Sequence, residues 1–93
     1  LFDILGLRVE TFENGDPKNL DYVNGVKIVE VKKVSPASDN NINRGDIITE
    51  MGKTSIKEKN EYDSKLESYS KGDTIMLRIV RNGSPLYVAF EIE

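Results

Sequence analysis

Two strand-like runs close the chain, TIMLRIV at 74–80 and LYVAFEI at 86–92, the second alternating at Leu86, Val88, Phe90 and Ile92, and Asn82-Gly83 lies between them. Alternation sends every second side chain to one face of a strand, and Asn-Gly accepts the positive φ angles of the tightest hairpin turns. A two-stranded ribbon is marginal in water on its own, so the rest of the chain must extend the sheet and cover its apolar face. The fold therefore has to be a β structure organised around this hairpin.

The other segments read as the missing parts. Leu5, Leu7, Val9 and, less regularly, Phe12 alternate, and the following ENGDPKNLDYVNG is a long loop dense in Asn, Gly, Asp and Pro. In VKIVEVKKV at 26–34 the adjacent Ile28 and Val29 break the alternation, which requires a strand that is buried on both faces or bulged. SPASDNN carries a short helix start, with Ser35 as N-cap and Pro36 in the first helical position. GDIITEMGKTSI reads as two brief strands about a Met51-Gly52 turn. In KEKNEYDSKLESYSKG, Tyr62, Leu66 and Tyr69 stand at i, i+4 and i+7, an amphipathic helix stopped near Gly72. One residue is out of place: Gly6, inside the apolar stretch ILGL, where glycine marks a bend, a bulge or a close approach by another backbone or a ligand.

Ninety-three residues with 38% hydrophobic content support one core and hence a single domain spanning 1–93. The 13 basic and 16 acidic residues are interspersed and give a net charge of −3, which argues against nucleic acid or a membrane surface as partner and in favour of proteins or peptides. No apolar run approaches the ~18 to 20 residues of a spanning helix. The chain starts at Leu1 rather than Met, as expected of a piece of a longer protein.

Chemistry is constrained as sharply. Without histidine or cysteine, neither a Ser-His-Asp nor a Cys-His arrangement can be assembled within this chain, so it is expected not to be an enzyme and to have no catalytic residue. The carboxylates fall in charged, surface-like segments. DNNINRGDIITE approaches a calcium loop through Asp39, Asn41, Asn43 and Glu50, but Arg44 stands where the loop needs glycine and Glu50 falls in a strand, so no metal and no cofactor is expected. Arg44-Gly45-Asp46 and Asn82-Gly83-Ser84 imitate an adhesion and a glycosylation motif, yet each coincides with a turn.

Taken together, ILGL, SPASDNNINRGDII, SIKEKNEYDSKL and GDTIMLRIVRNGSPLYV stand in the order and spacing of a bacterial PDZ domain, from about residue 4 to 91. The chain most resembles the C-terminal PDZ domain of HtrA/Deg-type envelope serine proteases; the specific part is SPA with RGDII eight residues after Pro36. The resemblance implies an α+β, mainly β fold, a small partly open barrel of about five strands capped by two helices. It also implies a non-catalytic module of a larger protease located in the cell envelope or periplasm.

On that resemblance, Ile4-Leu5-Gly6-Leu7 is a carboxylate-binding loop whose backbone amides receive the C-terminus of a peptide. Physically, a glycine lets consecutive N–H groups converge on one anion without an intervening side chain. The peptide would continue as an added strand along residues 7–10, including Arg8, with Leu5, Leu7 and Val9 available for an apolar pocket and the helix bearing Tyr62 and Leu66 packed on its other side. Many PDZ domains place a basic residue shortly before the loop, whereas here the nearest upstream charge is Asp3, which is expected to repel a bound carboxylate unless Arg8 compensates. Two alternatives remain open from the sequence: a docking domain for protease assembly with no peptide ligand, and a PDZ domain of another processing protease.

Overall fold

The computed structural model describes residues 2–14, 18 and 23–92. The strands are β1 (Leu7–Asn14), β2 (Val23–Val31), β3 (Ile47–Met51), β4 (Thr54–Ser55), β5 (Thr74–Arg81) and β6 (Ser84–Glu91), and the helices are α1 (Pro36–Asp39) and α2 (Lys59–Leu66). They make one six-stranded antiparallel sheet in the order β1-β2-β3-β5-β6, with β4 paired to β3. Among the described residues the strands number six, the two brief strands read about Met51-Gly52 being β3 and β4. Most of the predicted loop after β1 lies outside the described residues.

The closing hairpin forms in the expected register, Thr74 opposite Glu91 through Arg81 opposite Ser84. Asn82 and Gly83 both take positive φ, 53° and 80°, as a two-residue turn of this twist requires. Ile75, Leu77 and Ile79 of β5 point into the core, while Met76 and Tyr87 stay exposed. The broken alternation in β2 is resolved by a bulge: Arg8 pairs with Glu30 and Val9 with Ile28, so Val29 has no opposite number.

Ser35 caps α1 as expected, its Oγ accepting from the Ser38 amide at 3.2 Å while the Ser38 hydroxyl oxygen accepts from the Ser35 amide at 2.9 Å. The second helix is shorter than its periodicity suggests. It ends at Leu66 because the amides of Ser68 and Tyr69 turn to the carbonyls of Lys65 and Leu66, three residues back, and the Ser68 hydroxyl also donates to Lys65 O. Tyr62 and Leu66 face inward as predicted, and Tyr69 is half-buried beyond the helix.

One polar device sits under the β3–β5 seam. Asp46, 3% exposed, accepts from Arg81 through both carboxylate oxygens, at 3.0 and 2.6 Å, and from the Asn43 amide at 2.9 Å. The turn reading of Arg44-Gly45-Asp46 stands, with Gly45 at φ 94°, but its aspartate also anchors a residue at the far end of β5. Among the described residues no helix is long and apolar enough to cross a membrane.

Gly25 of β2 lies close against β3. A Cβ there would lie 2.3 Å from the Ile48 carbonyl oxygen, which is backbone and cannot swing aside. Gly25→Ala is expected to lower the unfolding free energy by about 1–3 kcal/mol, read as a lower midpoint in urea denaturation with little change in slope.

Candidate functional site: a turn of amides beside an open strand edge

Among the described residues β1 pairs with β2 on one side only, so its other edge is open to an added strand. Opposite that edge lies α2, whose main-chain approach is fixed where the Lys59 amide donates to Thr11 Oγ1 at 2.9 Å. Between them runs a groove of about 190 Å³ lined by Phe2, Asp3, Leu7, Arg8, Val9, Lys59 and Asp63. It continues past the loop into a depression of about 440 Å³ formed by Asp3, Ile4, Asp63, Leu66, Glu67 and Tyr69.

The loop at the head of the groove is held from behind. Gly6 adopts φ 84°, and a Cβ on it would fall 2.3 Å from Ser35 Cβ. The Lys32 amide donates to Gly6 O at 2.8 Å and the Ala37 amide to Leu5 O at 3.0 Å, so both carbonyls point back into the fold. In a trans peptide the next residue's N–H points opposite to the carbonyl, so the inward carbonyls of Leu5 and Gly6 turn the Gly6 and Leu7 amides the other way.

Those amides already have an acceptor. Asp3 Oδ1 accepts from Leu5 N at 2.9 Å and Leu7 N at 3.1 Å, and Asp3 O accepts from Gly6 N at 3.0 Å. The Asp3 amide in turn donates to Leu7 O at 3.1 Å, and Asp3 Oδ2 accepts from the Tyr62 hydroxyl at 2.7 Å. Asp3 is therefore more than a charge near the loop: its carboxylate is the group that the Leu5 and Leu7 amides coordinate.

The residues singled out from the sequence divide into two sets. Leu5, Gly6, Leu7, Tyr62 and Ile4 gather around the turn, and Leu7, Arg8 and Val9 border the groove. Leu5, Leu7, Val9, Tyr62 and Leu66 are all buried in the core, so they carry the floor of the site more than an open apolar pocket. Ile4 is 48% exposed and supplies an outward apolar surface beside Leu66 and Tyr69. Arg8 is paired with Glu30 at 2.8 Å on the β2 side, an exposed ion pair.

Sequence reasoning missed Phe2, Lys59 and Asp63 as groove residues. The last two were accessible to it: they stand one turn apart on α2 and form an i, i+4 ion pair at 2.9 Å on the face adjoining the buried Tyr62. Among the described residues no group of carboxylates is arranged to hold a metal.

The residues 4–92 match the family model described as PDZ domain, and the chain belongs to that family. It is 28% identical over 88 residues to a probable periplasmic serine endoprotease DegP-like of Pseudomonas savastanoi pv. phaseolicola, and 28% identical over 89 residues to a protein so described in Halomonas elongata. Each match takes in 95% of this chain but only 18% of the relative's length. Among solved structures, the HtrA-type protease AlgW with decapeptide superposes with a TM-score of 0.77 at 21% identity, over 94% of this chain and 27% of that one. The HtrA3 PDZ domain bound to a phage-derived ligand gives 0.75 at 24% identity, over 96% and 83%. The fold expected from the sequence, a mainly β PDZ structure with two helices, is the fold found, as one sheet that does not close.

Burial pushes the Tyr62 hydroxyl well above the ordinary tyrosine value of 10.0, and the neighbouring Asp3 charge and its hydrogen bond add to the shift. Tyr62 thus contributes stability that is fully present below the unfolded value near pH 10 and is lost as pH climbs above it, because only the unfolded chain releases that proton. In an ultraviolet phenolate titration, one of the four tyrosines should ionise only together with alkaline unfolding. In Tyr62→Phe that coupled step should disappear, with a loss of about 1–2 kcal/mol at neutral pH from the unpaired Asp3 oxygen.

Proposed function

We propose that this chain is a non-catalytic peptide-binding module of a larger protease, accepting an extended peptide C-terminus by strand addition to β1. The observation that carries the reading is the turn at Leu5-Gly6-Leu7, where the Leu5 and Leu7 amides converge on one carboxylate oxygen at the head of an open strand edge. A carboxylate delivered by a peptide has the same chemistry as the one seated there. The terminal side chain of such a peptide would face Ile4, Leu66 and Tyr69, which favours an apolar residue in that position.

The parent activity follows the relatives: a serine endoprotease of the HtrA/DegP type, placed in the periplasm, with catalysis in segments other than this one. The peptides in two structural neighbours support the same use of the fold. One observation favours a second reading, docking of neighbouring domains or subunits without a peptide: the amides of the turn are already satisfied within the chain.

Paired free-acid and C-terminally amidated peptides with apolar last residues separate the two. Amide-shift mapping by NMR at millimolar peptide should show the acid form perturbing residues 5–9 together with Lys59 and Asp63, and the amidated form leaving them in place. Identical behaviour of the two forms, or perturbations confined to surfaces outside the β1–α2 groove, would replace the peptide reading with the docking one.

A further inference from the structure

We infer that Asp3 is an intrachain latch: its carboxylate holds the amide turn in the place of a ligand's carboxylate, and a peptide gains the groove only by displacing it. The biological meaning of the latch rests on the peptide-binding reading, while the latch itself is a property of this chain alone.

Several independent contacts make the same point. The Asp3 carboxylate is met by three donors, the amides of Leu5 and Leu7 on one oxygen and the Tyr62 hydroxyl on the other. Hydrogen bonds to an ionised acceptor are about twice as strong as neutral ones, so this set is a substantial hold on the segment. The Asp3 amide also uses Leu7 O, the first β1 acceptor an added strand would meet beside the turn. Residue 3 thus presents to the turn both groups that a terminal residue would bring, an N–H and a carboxylate. Phe2 extends the cover: it borders the groove together with Leu7, Val9, Lys59 and Asp63.

The latch has a large local advantage. An acceptor two and four residues from the amides it fills competes at an effective concentration of millimolar or above, so a free peptide meets few open turns. Its apparent dissociation constant is the intrinsic one divided by the open fraction. Opening the latch also strips the Tyr62 hydroxyl of its acceptor, which couples the loop to α2: the helix wall is retained best while Asp3 is in place. Relief by a ligand, or by a neighbouring segment that draws residues 2 and 3 away, would open the groove at the turn and on the side that Phe2 and Asp3 line.

Asp3→Ala tests the inference, with Asp3→Asn as a second variant that retains the side-chain shape and removes the charge. Thermal melting and protection of the β5 and β6 amides establish that each variant keeps the fold. In titrations with apolar free-acid peptides, Asp3→Ala should bind about tenfold or more tightly than the wild-type chain and Asp3→Asn should fall between them, with amidated peptides binding none of the three. Equal affinities for wild type and both variants would overturn the latch and leave the peptide reading in force. If no acid peptide binds either the wild-type chain or the variants, the peptide reading falls, and amide hydrogen exchange without peptide decides the latch. Protection of Leu5 and Leu7 in wild type that is lost in Asp3→Ala supports it, and equal protection in both overturns it.

Discussion

The contact between Gly6 and Ser35 governs how the site is built. Because Gly6 carries no side chain, the backbone of the turn can lie against the serine that caps α1, and the same serine donates to Lys32 O at 2.8 Å at the end of β2. The turn, the end of β2 and the start of α1 are thereby locked at one corner, with Lys32 N and Ala37 N consuming the carbonyls of Gly6 and Leu5. Any larger residue at position 6 would have both a positive φ and a collision to relieve. The direction of the amides is a consequence of that closeness.

A second tie runs across the groove. Tyr62 is the largest fully buried side chain, and its ring belongs to the core while its hydroxyl reaches Asp3. The wall of the groove and its head are therefore joined by one side chain whose apolar body and polar tip have different partners. Since the apolar body is held by Leu5, Leu7 and the rest of the core, the hydroxyl is delivered to a fixed point, and the carboxylate that meets it is the one the turn also selects.

Much of this was legible in the sequence. The Asn82-Gly83 hairpin, the Ser35-Pro36 helix start and the inward set of Tyr62 and Leu66 follow from local chemistry and periodicity, and the structure realises each of them. The bulge in β2 was one of two readings of the Ile28-Val29 pair, and only the pairing with β1 decides between them. The end of α2 was misplaced toward Gly72 because a serine that closes the last turn leaves the apolar spacing up to Tyr69 intact. Gly6 was read as a glycine for ligand approach, and the structure adds a reason nearer at hand in Ser35.

The sequence by itself determined the closing hairpin, the two helix starts, the inward set of Tyr62 and Leu66 and the lack of histidine and cysteine, since period, turn chemistry and residue type are local properties. Only the tertiary structure decided what Asp3 and Asp46 do. Each is an ordinary acidic residue in sequence, yet Asp46 is paired with Arg81 from β5, and Asp3 is joined to Tyr62 from α2. Partners so far apart in the chain meet only after the strands and helices have packed, and no local pattern records a hydrogen bond that packing creates.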